Sequence, residues 1–289
     1  MAAPTFDLQS HSQHSDGALP AAEVVVLAAA AGVELLALTD HDTVDGVPEA
    51  LDAAGEHGIR LVPAVELSTL DGDADDLHLL GYLIDHTDAT LAERLRSARA
   101  EREERAKAMG ERLLELGFKI FDKPLATRHA EGKSIGRPHL AAAVLAHKRN
   151  RRRIEREDID DIGPFIEAYL IPGAPGYVPR QRPKLEEAIG WVHDAGGLAV
   201  WAHPFWDISD ARAVLATLER FREAGLDGVE AFYATHTEEQ TRALASKAAE
   251  LGLITTGSAD FHGPEHRLFN RFRAFDLYGL TPELGPLRP

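Results

Sequence analysis

The chain has 289 residues, 44% hydrophobic and 27% charged, which excludes wholesale disorder and leaves room for one large domain or two modest ones. Lysine and arginine number 31 against 47 aspartates and glutamates, a net charge of −16 that repels long duplex nucleic acid. Cysteine is absent, which rules out disulfide scaffolds, cysteine nucleophiles and thiolate-held zinc.

No run approaches the ~18 consecutive apolar residues of a membrane span. The N-terminal Met1-Ala2-Ala3-Pro4 lacks the positive charge and apolar stretch of a signal peptide, so a cytoplasmic location is expected. In chain order, residues 5–10 read as a strand and 20–31 as an Ala-rich helix with Pro20 at its first turn. Residues 35–39 form a second strand, 48–57 a helix, 59–67 a third strand and 77–84 a fourth. Beyond a break come a helix at 184–195, a strand at 198–202, a helix at 211–224, a strand at 228–232, a helix at 238–251 and a strand at 253–256. Strands alternating with helical runs predict an α/β fold with a parallel sheet, without separating an open sheet from a barrel.

Residues 90–179 have a different character. Residues 91–116 are highly charged with apolar positions at helical spacing, 135–146 suggest a second helix, 148–156 are strongly basic and 158–161 acidic. Pro172, Gly173, Pro175 and Gly176 make 171–179 a returning loop. This stretch reads as a helical insertion subdomain, 90–179, that divides an α/β domain into 1–89 and 180–289. Such charge runs are most often solvated helix faces, and the basic run at 148–156 is the one feature suited to help a strand approach.

Fourteen histidines without a thiol supply ligands for Zn, Mn or Fe in mixed nitrogen and oxygen sites. Their placement is not scattered. Asp7-Leu8-Gln9-Ser10-His11 ends the first strand and leads to Ser15-Asp16-Gly17; Thr39-Asp40-His41-Asp42 ends the second and Val65-Glu66-Leu67 the third. The fourth carries His78, Ala202-His203-Pro204 closes another, and Ser258-Ala259-Asp260-Phe261-His262-Gly263 follows the last. In parallel α/β architectures the C-terminal strand ends converge on one face, where active sites sit. Single residues of this kind are often caps or packing groups, but so many at one end of a sheet point to a metal site. Walker, dinucleotide and Gly-x-Ser-x-Gly signatures are absent, which leaves metal-activated water as the natural nucleophile.

Those six segments, in that order, resemble the PHP (polymerase and histidinol phosphatase) metal-dependent phosphoesterases. The resemblance implies a distorted (β/α)7 TIM-like barrel with two or three divalent ions (Mn, Fe or Zn) at its C-terminal face. It implies a first position using Gln9, His11, Glu66 and Asp260. A second would share Glu66 and add His78 and His203, and a third would use Asp16, His41 and His262. Glu66 and Asp260 are thereby implied at the catalytic core. The family pattern has His-x-His where this chain has Gln9-Ser10-His11, so the first position is expected to be weak. Asp7, Asp40 and Asp42 read as groups that orient ligating histidines.

On the substrate side, Ser134-Ile135-Gly136-Arg137-Pro138-His139 resembles the phosphate-gripping segment of a subset of these enzymes, with Ser134, Arg137 and His139 as receivers and Lys133 adding charge. The plainer alternative is that the segment merely starts a helix. Tyr233-Ala234-Thr235-His236 resembles a second such segment, in which His236 holds phosphate or protonates the leaving oxygen. The other seven histidines read as surface or packing residues. Trp191, Trp201 and Trp206 read as core aromatics before base-stacking platforms, with Trp206 placed to line a pocket entrance. The resemblance implies a phosphoesterase of nucleotides or short oligonucleotides, of nucleotide phosphatase or 5′-3′ exonuclease type, acting on a small phosphorylated substrate and neither membrane nor long duplex. A histidinol-phosphate-type phosphatase and a non-catalytic metal- and phosphate-binding sensor are the alternatives.

Overall fold

In the computed structural model, residues 4–72, 74–130, 135–179 and 182–288 are described. The first strand, β1 (Phe6–Asp7), leads to helix α1 (Ala21–Ala30) and β2 (Leu35–Leu38). Helix α1 buries Ala21, Val24, Val25 and Ala28, the i, i+3, i+4, i+7 stripe that a helix needs to dock on a sheet. Helix α2 (Val47–His57) follows, ending at Gly58 in the left-handed conformation that satisfies its last carbonyls. Then come two long strands, β3 (Arg60–Asp71) and β4 (Ala74–Tyr82), and the 27-residue helix α3 (Ala89–Glu115).

Four further helices follow: α4 (Asp122–Ala130), α5 (Arg137–Leu145), α6 (Arg151–Arg156) and α7 (Ile162–Tyr169). Helix α8 (Leu185–Asp194) precedes β5 (Leu198–Trp201), short α9 (Pro204–Asp207) and α10 (Ala211–Glu223). Strand β6 (Gly228–Tyr233), α11 (Glu238–Leu251) and β7 (Ile254–Ser258) complete the pattern. Helix α11 starts with a reciprocal cap, in which Thr237 Oγ1 accepts from Gln240 N–H and Gln240 Oε1 accepts from Thr237 N–H.

The seven strands lie in the order β1-β2-β3-β4-β5-β6-β7. Closure between the ends comes from Leu8 N–H donating to Gly257 O at 3.1 Å and from a parallel bridge between Ser10 and Phe261, so the fold is a distorted TIM-like barrel. The expectation of a parallel sheet fails around β4, which runs antiparallel to both β3 and β5. The cause is local: β3 turns directly back into β4, with Asp71 opposite Ala74, and such a short connection permits only an antiparallel pair. His78 therefore lies within a strand, opposite Ser68, and still shares an end of the sheet with Glu66.

The chain divides into two compact units, Met1–Leu95 with Arg182–Pro289, and Arg96–Gln181. Trp201 is fully buried in the first unit, edge-on to Phe221 at 5.2 Å. The second has its own core of Met109, Leu113, Phe118, Leu140 and Phe165. Within it, the reading of 148–156 as a strand-approach feature needs correction at Arg153. That guanidinium sits 3.9 Å from the Phe118 ring centroid, donates to Leu116 O and Tyr169 Oη, and pairs with Glu157, so its charge is spent on packing this unit. No helix among the described residues is long and apolar enough to cross a membrane.

Candidate metal centre

Glu66 is the centre of the arrangement. It lies on β3 with no exposed surface, a position where an unpaired carboxylate would cost several kcal/mol. Four imidazoles surround it: His78 Nδ1 at 2.7 Å, His11 Nε2 at 3.0 Å, His203 Nε2 at 3.2 Å and His41 Nδ1 at 3.7 Å. Each arrives from a different strand, His78 from within β4 and the other three from just past strand ends. His11 follows β1 and is pinned by its N–H donating to Phe261 O at 2.8 Å. His41 follows β2 and bridges β3 at Glu66 itself. His203 follows β5 at φ +26°, and Asp260 follows β7 at φ +54°. Non-glycine residues rarely adopt such backbone, and residues held there cluster at functional sites.

Asp16 is brought in by a tight turn in which Gly17 N–H donates to Ser12 O at 2.9 Å. A side chain at Gly17 would meet His11 O at 2.2 Å, so only glycine permits this approach. Asp16 then lies 3.5 Å from His11 Nδ1, 3.6 Å from His41 Nε2 and 3.5 Å from His262 Nε2. Asp260 Oδ1 lies 3.1 Å from His11 Nε2 and 3.6 Å from His262 Nδ1. Three groups result whose donor atoms lie within 4.8 Å of one another: His11, Glu66 and Asp260; His41, Glu66 and His78; and His11, Asp16, His41 and His262. His203 joins the second through Glu66 and through His78 Nδ1 at 3.4 Å from its Nε2. Most residues expected at the first, second and third positions thus lie close to one another, Gln9 excepted from every donor group. His11 and His41 each serve two groups, which the sequence did not show.

The electrostatics fit a cation. Burial pushes the Glu66 and Asp260 carboxyls up, but the imidazoles around them overcome this and hold Glu66 well below the usual carboxylate range and Asp260 at about 2. Burial pushes His41 down to about 3, leaving the neutral imidazole that a metal requires. Burial would lower His203 too, but Glu66 lifts it to about 9. Although they approach carboxylates or imidazoles so closely, His11 Nε2, His41 Nδ1 and Asp260 Oδ1 are buried without a hydrogen bond. Buried polar atoms rarely lack partners. Here they aim at shared points, and their nitrogen and oxygen chemistry suits a divalent ion such as Zn, Mn or Fe.

Gln9 stands apart from its expected role. Its amide Nε2 donates to Glu66 Oε2 at 2.9 Å, and its Oε1 lies 3.4 Å from Ser258 Oγ. In this orientation Gln9 steadies the shared carboxylate and offers no lone pair to an ion. Two further residues support the site and were not singled out as doing so. Glu230, fully buried on β6, accepts from His203 N–H at 2.9 Å and from Ser258 Oγ at 2.6 Å, and burial pushes its carboxyl up to about 8. Tyr233, expected at the substrate, instead donates its hydroxyl to Asp260 Oδ2 at 2.7 Å. The only sequence signal for Glu230 was a carboxylate inside an apolar strand. Asp40 accepts from Ser12 N–H, Ser12 Oγ and Ser15 Oγ, and Asp42 accepts from Ser68 N–H; both tie down the ligand loops.

His236 packs beside Tyr233 with ring centroids 5.3 Å apart, its Nδ1 bonded to Ala231 O and its Nε2 buried without a partner. Burial pushes it down to about 4. A neutral ring donating through Nδ1 keeps a lone pair on Nε2, ready to accept a proton rather than to give one. In the second unit, Arg137 opens α5 and His139 Nδ1 accepts from Gly136 N–H at 3.0 Å, so this segment does start a helix. Ser134 and Lys133 lie outside the described residues.

Comparison with known proteins gives concordant findings. Residues 7–146 match the model of the PHP domain family. The chain is 37% identical over 261 residues to a 3′,5′-nucleoside bisphosphate phosphatase of Chromobacterium violaceum, covering 90% of this chain and 87% of that protein. It is 34% identical over 260 residues to a 5′-3′ exoribonuclease of Haemophilus influenzae, covering 90% of each. Among solved structures, a Bifidobacterium adolescentis protein ascribed metal-dependent phosphoesterase activity superposes with a TM-score of 0.72 at 29% identity, over 96% of this chain and 100% of that one.

Proposed function

This chain belongs to the PHP domain family, and we propose that it hydrolyses a phosphate ester of a nucleotide or short oligonucleotide at the centre built around Glu66. The observation that carries the reading is the convergence of His11, His41, His78 and His203 on one fully buried carboxylate. Catalysis by this chain depends on divalent metal, held by His11, Glu66 and Asp260, by His78, His203 and Glu66, and by Asp16, His41 and His262. Bound there, such ions supply Lewis acidity toward phosphoryl oxygens and lower the pKa of water. The protein's part is to fix the donors. Glu66 is clamped between Gln9 and four imidazoles, Tyr233 holds Asp260, and Glu230 holds the backbone at His203. His236, neutral with its Nε2 lone pair unsatisfied, can take up a proton at that atom. Turnover of nucleotides, nucleoside bisphosphates and short oligonucleotides, each with Mn²⁺, Fe²⁺ and Zn²⁺ in turn, tests the reading; no hydrolysis of any of them would refute it.

Gln9 gives this chain a metal-affinity signature. Replacing a donor amide by an imidazole adds a ligand at the first position, so Gln9→His is expected to tighten the most weakly bound ion by about 10- to 100-fold. Metal content after dialysis and the metal dependence of activity both report it, and coincident titrations of the two forms would count against the assignment.

Arg137 is assigned to phosphate on its side-chain chemistry, a planar donor fork suited to phosphate oxygens. A charge-assisted hydrogen bond contributes roughly 1.5–3 kcal/mol, so Arg137→Ala is expected to lower kcat/KM on the order of 10- to 150-fold. Bound metal should not change, because a guanidinium does not ligate cations. Wild-type kinetics, or lost metal, would contradict the assignment.

A further inference from the structure

His203 sits in a backbone conformation that residues with a side chain seldom adopt, at φ +26° and ψ +59°. Such strain persists only where the surroundings enforce it. Its carbonyl accepts from Trp206 N–H at 2.8 Å, and its N–H donates to Glu230 Oε2 at 2.9 Å. The contacts of Glu230 continue past His203. Its Oε1 accepts from Ser258 Oγ at 2.6 Å, and Ser258 Oγ also lies 3.4 Å from Gln9 Oε1. Gln9 Nε2 donates to Glu66 Oε2 at 2.9 Å, and Glu66 Oε1 lies 3.2 Å from His203 Nε2. The path closes on itself, through His203, Glu230, Ser258, Gln9 and Glu66, and no member is more than 4% exposed.

Two features of the strands put Glu230 on this ring. Glu230 pairs with Thr256 while Phe232 pairs with Gly257, so Ala231 is an extra residue bulged out of β6. Bulges re-aim neighbouring side chains and recur beside active sites. Gly257 permits the close approach of β7 beside Ser258, since a Cβ there would meet Phe232 Cβ and O at 2.6 Å. Ser258 has one hydroxyl proton for two acceptors, Glu230 Oε1 and Gln9 Oε1. An amide at position 230 would donate to Ser258 Oγ and release that proton to Gln9. The ring therefore asks position 230 for an acceptor toward His203, and not for a charge.

We propose that Glu230 is a positioning residue for the second metal position, acting by hydrogen bonding rather than by charge. It fixes His203 from one side and, through Ser258 and Gln9, Glu66 from the other. The proposal rests on the metal-centre reading above and names the residue that sets one position of it. His203 serves the second position alone, whereas Glu66 keeps His11, His41 and His78 beside it. Loss of Glu230 should therefore weaken one ion selectively.

The test titrates Mn²⁺ into metal-stripped wild type, Glu230→Leu, Glu230→Gln and Ser258→Ala, without substrate. Glu230→Leu has similar bulk and no acceptor, so one metal equivalent should bind about 10- to 100-fold more weakly while the others bind as in wild type. Glu230→Gln should restore most of that affinity. Ser258→Ala removes one neutral hydrogen bond and should weaken the same equivalent by about 2- to 10-fold. That small loss leaves the barrel folded, so this variant carries the test if Glu230→Leu does not fold. In the metal-free proteins the His203 backbone amide should resist hydrogen exchange in wild type and Glu230→Gln, and exchange faster in Glu230→Leu. Titrations unchanged in Glu230→Leu and Ser258→Ala would overturn the positioning role while leaving a metal-dependent activity standing. Equal losses in Glu230→Gln and Glu230→Leu would overturn it too, because charge would then be what Glu230 supplies. Wild-type protein that binds no Mn²⁺ would overturn the metal-centre reading itself.

Discussion

Replacing Glu66 by alanine is expected to lower turnover on the order of 10³-fold or more, about 4 kcal/mol of barrier, and to release more than one equivalent of metal if two are bound. The size follows from position. Glu66 has no exposed surface, four imidazole nitrogens lie within 3.7 Å of its oxygens, and two of the three donor groups include it. Alanine removes the negative charge that gathers these histidines and leaves their rings to repel one another when protonated. Glu66→Gln keeps the shape with half the ligating oxygens, so it separates lost charge from lost packing. Circular dichroism of both variants shows whether the fold survives, and metal analysis shows what has left. Full turnover by a folded Glu66→Ala protein in metal-replete buffer would remove the proposed core of the site.

The candidate donor cluster was legible because strand ends in an α/β fold are punctuated by turns, and polar residues interrupt apolar runs there. Gln9-Ser10-His11, Thr39-Asp40-His41 and Ala202-His203-Pro204 all carry that signature. Less legible was what depends on pairing across the sheet. Strand β4 reads as one more strand in the sequence, and only its hairpin with β3 reveals that it runs antiparallel and sets His78 opposite Ser68. Glu230 escaped for a related reason, since its partners Ser258 and His203 are far along the chain and join it only when β5, β6 and β7 align. Tyr233 was noticed, but its hydroxyl bond to Asp260 follows from the same alignment. In the second unit, helices α4, α6 and α7 are short, so periodicity over so few residues is weak, and contacts such as Arg153 on Phe118 and Tyr169 tie α6 to α7.

Removing the metal should be as severe as removing Glu66, and it leaves the covalent chain untouched. The donors converge on points that hydrogen bonds do not satisfy, and His11 with His203 holds protons more tightly than ordinary imidazoles because carboxylates face them. A divalent ion must displace those protons, and it then stabilises only the folded state. Metal at 100 times its dissociation constant contributes about 2.7 kcal/mol, so the chelated protein should melt several degrees lower and regain its melting temperature with Mn²⁺. The most direct measurement is hydrolysis of adenosine 3′,5′-bisphosphate by one preparation before chelation, after chelation and after metal is returned, with bound metal counted at each stage. Turnover that falls on the order of 10³-fold as the metal leaves, and recovers as it returns, is the expected result. Undiminished turnover by protein shown to carry no metal would contradict a metal-dependent centre at Glu66.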